Sequence, residues 1–239
     1  MIVVTSWDDG HPADMKVAEL LDRHGLSGTF FVPVENSEGL PVMDKTALRE
    51  LDGHFEIGSH TYSHIRLDAI GSSRADDEIR LGKSGLEDIL GHGVNGFCYP
   101  GGRITDRALK RLGEHGIRYA RTIENFRLDL GQDRFHVPTT LQIFPHRQSV
   151  YIRNFIRRGH RNKRLKCLLR AMTSGSVWDA LDRIALDCAG QEFVLHLWGH
   201  SWEIEKHDMW GQLESCFSRL RQLSPIPKTV AQSVAAMAN

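Results

Sequence analysis

No apolar run in this 239-residue chain approaches the roughly 20 residues needed to cross a bilayer. The opening MIVVTSWDDG carries neither a basic leader nor a long apolar stretch, so residues 2–6 read as a strand rather than a secretory signal, which predicts a cytoplasmic protein. Cysteine is scarce and scattered. Cys98, Cys167, Cys188 and Cys216 form no C-x-x-C pair, so reduced, partly buried thiols are expected instead of a disulfide framework. There is no internal repeat, low-complexity tract or linker either, and a single domain over residues 1–239 is expected. Nor is there excess charge: 30 Lys and Arg balance 30 Asp and Glu. That balance hides an asymmetry, because nine of the cations and none of the acids fall within residues 145–170.

What the chain does have is alternation. Short β-like runs at 2–6, 28–34, 54–60, 94–100, 117–123 and 192–198 are separated by amphipathic stretches at 13–24, 44–52, 73–91, 105–115, 177–188 and 206–222. Strand and helix in turn predict a parallel sheet covered by helices. The number and length of the units fit an α/β barrel of seven or eight repeats better than an open sheet. In such barrels the chemistry collects at the C-terminal ends of the strands.

Polar residues follow several of these runs. The stretch TSWDDGHP places Asp8 and Asp9 side by side after the first. Neighbouring strand residues point to opposite faces, so the two can address one site only if the backbone turns there. After the third run, GSHTYSH places His60 and His64 four apart, on one face if the chain turns helical. Two imidazoles and a carboxylate form the three-ligand set of a catalytic divalent metal, with zinc the natural candidate. EFVLHLWGH adds His196 and His200 at the end of the last run. Any one of these motifs alone is an ordinary turn or surface feature; their coincidence at strand ends points to one site.

The residues resemble the polysaccharide deacetylases, metal-dependent carbohydrate esterases that include the nodulation-type chitooligosaccharide deacetylases. Thr5–Gly10 is similar to the family's T-F-D-D-G, with one residue more between the Thr and the Asp pair. His60-Thr61-Tyr62-Ser63-His64 matches H-S/T-x-x-H, Phe97–Gly102 looks like the Pro-rich third motif, and Leu195-His196 corresponds to the late Leu-His. The resemblance implies a distorted (β/α) barrel of about seven parallel strands. It implies that Asp9, His60 and His64 bind the metal, that Asp8 is the general base and that His196 is the general acid. The turn at Tyr99, Pro100 and Gly101 would hold the oxyanion, with His200 and Glu203 orienting the acid or touching substrate. Two departures stand out: Cys98 occupies the region where many members carry an Arg paired with the catalytic Asp, and the Asp-Trp fourth motif has no match. Arg121 is the candidate to supply the missing cation.

The expected activity is removal of an N-acetyl or similar acyl group from an amino sugar in polysaccharide or glycoconjugate biosynthesis. The alternatives are deformylation or another C–N hydrolysis, and a lapsed member that binds sugar without turnover. Residues 151–172 combine cations with a helical apolar pattern. The bland reading is a solvated helical face; the sharper one is a strip that receives a phosphate-linked N-acetylated sugar or an anionic membrane surface. Nucleic acid ranks below these, because no recognition module is present.

Overall fold

The computed structural model describes residues 1–188 and 191–238. One sheet organises the chain, its strands all parallel. They are β1 (Ile2–Asp8), β2 (Thr29–Val32), β3 (Glu56–Ser59), β4 (Gly96–Cys98), β5 (Tyr119–Arg121), β6 (Leu141–Gln142), β7 (Val194–Gly199) and β8 (Ile226–Lys228). The order is β5-β4-β3-β2-β1-β7-β6. β8 shares an edge of β1 with β2: it pairs with Ile2–Val4, while β2 takes Ser6–Asp8. An irregular run bridges the gap between the outer strands. Val137 pairs with Arg121 of β5, and a few residues later Thr140 and Ile143 donate to His196 and Trp198 of β7. The expected distorted (β/α) barrel with about seven parallel strands is therefore present, curled and closed in part by non-regular chain.

Helices cover the outside: α1 (Asp14–Arg23), α2 (Lys45–Asp52), α3 (Ser72–Leu90), α4 (Asp106–Glu114), α5 (Gln148–Arg157), α6 (Arg161–Thr173), α7 (Val177–Asp187), α8 (Ser201–Lys206), α9 (Trp210–Gln222) and α10 (Val230–Ala235). Alternation along β1 sorts its side chains. Val3 and Trp7 join an outer core with Val17 and Leu21 of α1 and Phe217 of α9, whereas Val4 joins Phe31, Cys98, Tyr119 and Val137 inside the barrel. Register then stacks the interior in layers, Val4 beside His196 and Ser6 beside Trp198. All four cysteines are free and buried. Among the described residues no helix is long and apolar enough to cross a membrane.

Sequence patterning missed β6, β8 and α8, all short, left the segment of α10 unassigned, and read residues 151–172 as one pattern where the chain breaks at 158–160 into α5 and α6. Arg164 explains the break. Its buried guanidinium donates to the carbonyls of Asn154, Phe155, Arg158 and Gly159, acceptors that the end of α5 leaves without helical partners, and to Asn125 of a neighbouring loop.

Glu56, at the start of β3, ties the base of the barrel together. Its carboxylate accepts from the Tyr119 hydroxyl, the Thr29 hydroxyl at 2.7 Å and the Ala231 backbone N–H at 3.1 Å, seating α10 against the N-terminal ends of the strands. A side chain at Gly96 would overlap Tyr119, so glycine there admits the phenol. Glu56→Ala leaves three donors without their acceptor and is expected to cost about 2–3 kcal/mol, against about 1 kcal/mol for Tyr119→Phe; urea unfolding midpoints of the two variants measure the difference.

Candidate active site

The turn that ends β1 solves the geometry of the adjacent carboxylates. Asp8 is the last strand residue and keeps its side chain in the interior. Asp9 then adopts φ of 80° and Gly10 of 61°, reversing the chain so that Asp9 also faces the C-terminal mouth. Asp tolerates the left-handed region better than most residues. Gly10 has no substitute, since a Cβ there would lie 2.5 Å from Val32 Cγ1.

His60 follows β3, its backbone N–H bonded to Val32 O. The chain does not turn helical through His60–His64, the condition under which their spacing alone would put them on one face. Thr61 and His64 have φ of 66° and 55°, and a tight non-helical loop brings the two rings together at 4.9 Å between centroids. α3 holds this loop from behind. Glu78 accepts from Ser63 N at 2.8 Å and Ser63 Oγ at 2.6 Å, and one helical turn later Gly82 lets the loop backbone lie directly on the helix: a Cβ at Gly82 would stand 2.5 Å from the Thr61 carbonyl carbon. Neither residue emerged from the sequence reading; a buried-face Glu followed four residues later by a mid-helix Gly was the available signal.

Three donor atoms converge here. His60 donates its Nδ1–H to Cys98 O at 2.8 Å, which fixes the tautomer and leaves Nε2 free. His60 Nε2 and His64 Nε2 lie 3.6 Å and 3.0 Å from Asp9 Oδ1. Yet Oδ1 is buried without a hydrogen bond, so these atoms share a point in space rather than bond to one another. One ligand atom from each of the three residues lies within 4.8 Å of the others. An orphaned carboxylate oxygen facing two imidazole nitrogens fits a divalent metal. Asp9 Oδ2 accepts from Trp202 Nε1 at 2.8 Å, a contact the sequence reading also missed. Burial alone would raise the Asp9 pKa, but His200, His60 and His64 outweigh it and hold the carboxyl far below the ordinary range.

Asp8 keeps separate company. Its Oδ1 is paired with Arg121 Nη2, and the Cys98 thiol lies 3.7 Å from Oδ2. Arg121 ends β5, in register with Cys98 of β4, and its fully buried guanidinium lies 4.9 Å from the Trp198 ring and 5.3 Å from that of Phe31. The cation absent from the third motif thus reaches Asp8 from the next strand at the same height. Burial pushes the Cys98 thiol well up, so it remains protonated.

The two late histidines occupy different layers. His196 lies beside Val4, deep in the barrel; its Nδ1–H donates to Pro138 O at 2.9 Å and its Nε2 faces Ser6 Oγ at 3.0 Å. Burial and the nearby Arg121 lower its pKa to about 3, so it is neutral across the working range. This placement departs from the general-acid position expected for it, because both nitrogens are engaged and the strand runs on to Gly199. His200 is the residue at the mouth. Its Nδ1 lies 2.7 Å from Glu203 Oε2, which also accepts from Gln142, and its Nε2 is 3.9 Å from Asp9 Oδ2. Burial lowers its pKa but Asp9 and Glu203 more than compensate, raising it to about 9. In the third motif, Gly101 and Gly102 have φ of 61° and 62° and turn the backbone at the rim; Pro100 is buried. The Tyr99 side chain points away into the core, against Phe97 and with its hydroxyl on Phe135 O, so only its backbone is available to a ligand.

Two variants test the supports of the three-donor centre. Trp202→Phe retains the packing but removes the donor to Asp9, and Gly82→Ala displaces the loop that carries His64. Each is expected to weaken Zn²⁺ binding about 10–100-fold with little loss of helicity, as read by calorimetric titration beside circular dichroism.

A family model described as polysaccharide deacetylase matches residues 1–120, half of the chain. The chain is similar to a peptidoglycan-N-acetylglucosamine deacetylase of Bacillus cereus, 31% identical over 110 residues that make up 45% of this chain and 39% of that protein. It is also similar to a chitooligosaccharide deacetylase of Azorhizobium caulinodans, 30% identical over 119 residues, 48% of this chain and 55% of that one. The chain therefore spans about half the length or less of these curated relatives. In fold it resembles a family 4 acetyl xylan esterase from Clostridium thermocellum, solved in complex with a cobalt ion, with a TM-score of 0.59 at 13% identity over 99% of this chain and 91% of that one. The matched region contains the Asp8–Asp9 turn, the paired histidines and the glycine turn of the third motif, and the chain belongs to the polysaccharide deacetylase family.

Proposed function

We propose that this chain is a metal-dependent hydrolase that removes the acetyl group from the nitrogen of an amino sugar. The observation that carries the reading is the division between adjacent carboxylates, Asp9 converging with His60 and His64 while Asp8 is held apart by Arg121. Asp9, His60 and His64 would hold the ion, and zinc suits a set of two imidazoles and one carboxylate. When bound, such an ion supplies a Lewis acid for the acetamide carbonyl and a more acidic water.

The remaining steps belong to the chain. Asp8, kept in one orientation by Arg121, accepts the proton of the attacking water. The turn at Tyr99, Pro100 and Gly101 would hold the developing oxyanion through the backbone N–H of Gly101, Pro100 having none to offer. His200 delivers a proton to the departing amine: it stands at the mouth, and Glu203 fixes its Nδ1 so that Nε2 handles the proton. This reading moves the acid role from His196 to His200 on the strength of their partners. The names of the curated relatives support an N-acetylglucosamine-containing substrate class.

The test is acetate release from N-acetylated chitooligosaccharides by protein stripped with a chelator and reloaded with Zn²⁺. Asp8→Asn should lose about 10²–10⁴-fold in kcat while still binding one equivalent of Zn²⁺, and His64→Ala should lose the metal. His200→Gln should lower kcat with little change in KM, whereas His196→Gln should act mainly on stability. Full turnover by Asp8→Asn, or by the stripped enzyme, would falsify the reading.

A further inference from the structure

The nine cations of residues 145–170 do not all have the same explanation. Arg164 binds the end of α5, Arg158 donates to Gly102 O at 2.9 Å, and Arg170 pairs with Asp187 at 2.6 Å. Arg147, Arg153, Arg157, Arg161, Lys163 and Lys166 are exposed; of these only Arg161 and Lys166 bond to backbone, each through one long contact of 3.4 Å, to the carbonyls of Ile156 and Asp187. Lys163 and Lys166 reach carboxylates only at 3.8 Å and 4.0 Å, and the four arginines have no carboxylate partner among the described residues. Other helices of the same protein behave differently: α1, α3 and α4 place an acid three or four residues from a cation, as in Glu19–Arg23, Lys83–Glu87 and Arg111–Glu114. A solvated helix gains from such pairs, and α5 and α6 make none of them.

The same two helices expose aliphatic side chains. Ile152 (39%) and Ile156 (58%) are four apart on α5, and Leu165 (48%) and Leu169 (52%) are four apart on α6. They are half of the eight exposed large hydrophobic residues among those described. Each helix therefore presents an aliphatic pair one turn apart, flanked by cations and free of acids.

We propose that this face of α5 and α6 docks on the surface of an anionic phospholipid membrane. Cations on an amphipathic helix meet the lipid phosphates while aliphatic side chains enter the headgroup boundary. A nucleic acid would use the cations and leave four aliphatic residues in water, and the exposed face offers no aromatic side chain for stacking on bases. Arg158, at the junction of the helices, touches the Gly102 turn, so docking brings the rim of the active site to the headgroup layer. The inference goes beyond the proposed activity and is read without it.

The experiment is sedimentation of the full chain with vesicles of phosphatidylcholine alone or mixed with phosphatidylglycerol. The protein should partition to the mixed vesicles only and be released by salt. Ile156→Asp with Leu169→Asp, and separately Arg153→Glu with Arg157→Glu, should each weaken partitioning about tenfold or more without changing the circular dichroism spectrum or acetate release. No binding to anionic vesicles, or binding undiminished in both variants, overturns the proposal. So does tight binding of a DNA duplex in the absence of vesicle binding, or a concentration-dependent dimer that the Ile156/Leu169 variant abolishes while vesicles remain unbound.

Discussion

Two neighbouring carboxylates can share a buried site only if each has partners of its own, and the C-terminal end of this barrel is arranged around that constraint. Asp8 has Arg121; Asp9 has His200 and the Trp202 N–H and faces the ring nitrogens of His60 and His64. A buried charge without a partner costs several kcal/mol, and like charges in contact cannot both ionise. The left-handed residue at Asp9 makes the separation feasible, because it turns the second carboxylate out of the strand's alternation and towards the histidine loop.

The rest of the fold serves that separation. Parallel strands bring Cys98 and Arg121 into register beside Asp8, and the layers beneath them pair Ser6 with Trp198 and then Val4 with His196. The opposite end is closed by Glu56, Tyr119 and α10 and carries stability rather than chemistry, the division expected of such barrels. α3 links the two concerns: the face that packs on the sheet also clamps the histidine loop through Glu78 and Gly82.

The Asp pair, the two histidines that face Asp9 and the strand–helix alternation were legible in the sequence because each is a local pattern with a chemical reason. What was not legible depends on register. Reading the last strand as residues 192–198 made His196 its terminal polar residue; the strand instead spans Val194–Gly199, and one interior position, Trp198, separates His196 in the barrel from His200 at the mouth. A boundary shift of one or two residues, the least certain part of any such reading, thus exchanges a fully buried histidine for a partly buried one at the mouth as the functional candidate. The loop at residues 60–64 was hidden for another reason, since a spacing of four suggests a helix and positive φ at Thr61 and His64 leaves no mark in composition. Trp202 was invisible because its indole acts on a residue 193 positions away.

The pairing of Arg121 with Asp8 also couples positions 98 and 121. The third motif places a small neutral thiol beside Asp8, and the guanidinium arrives from the adjacent strand between two aromatic rings. A second guanidinium in place of the Cys98 thiol would set two buried cations against one carboxylate, and loss of Arg121 would leave Asp8 without its cation. The charge that position 98 can carry is therefore set by what stands at position 121.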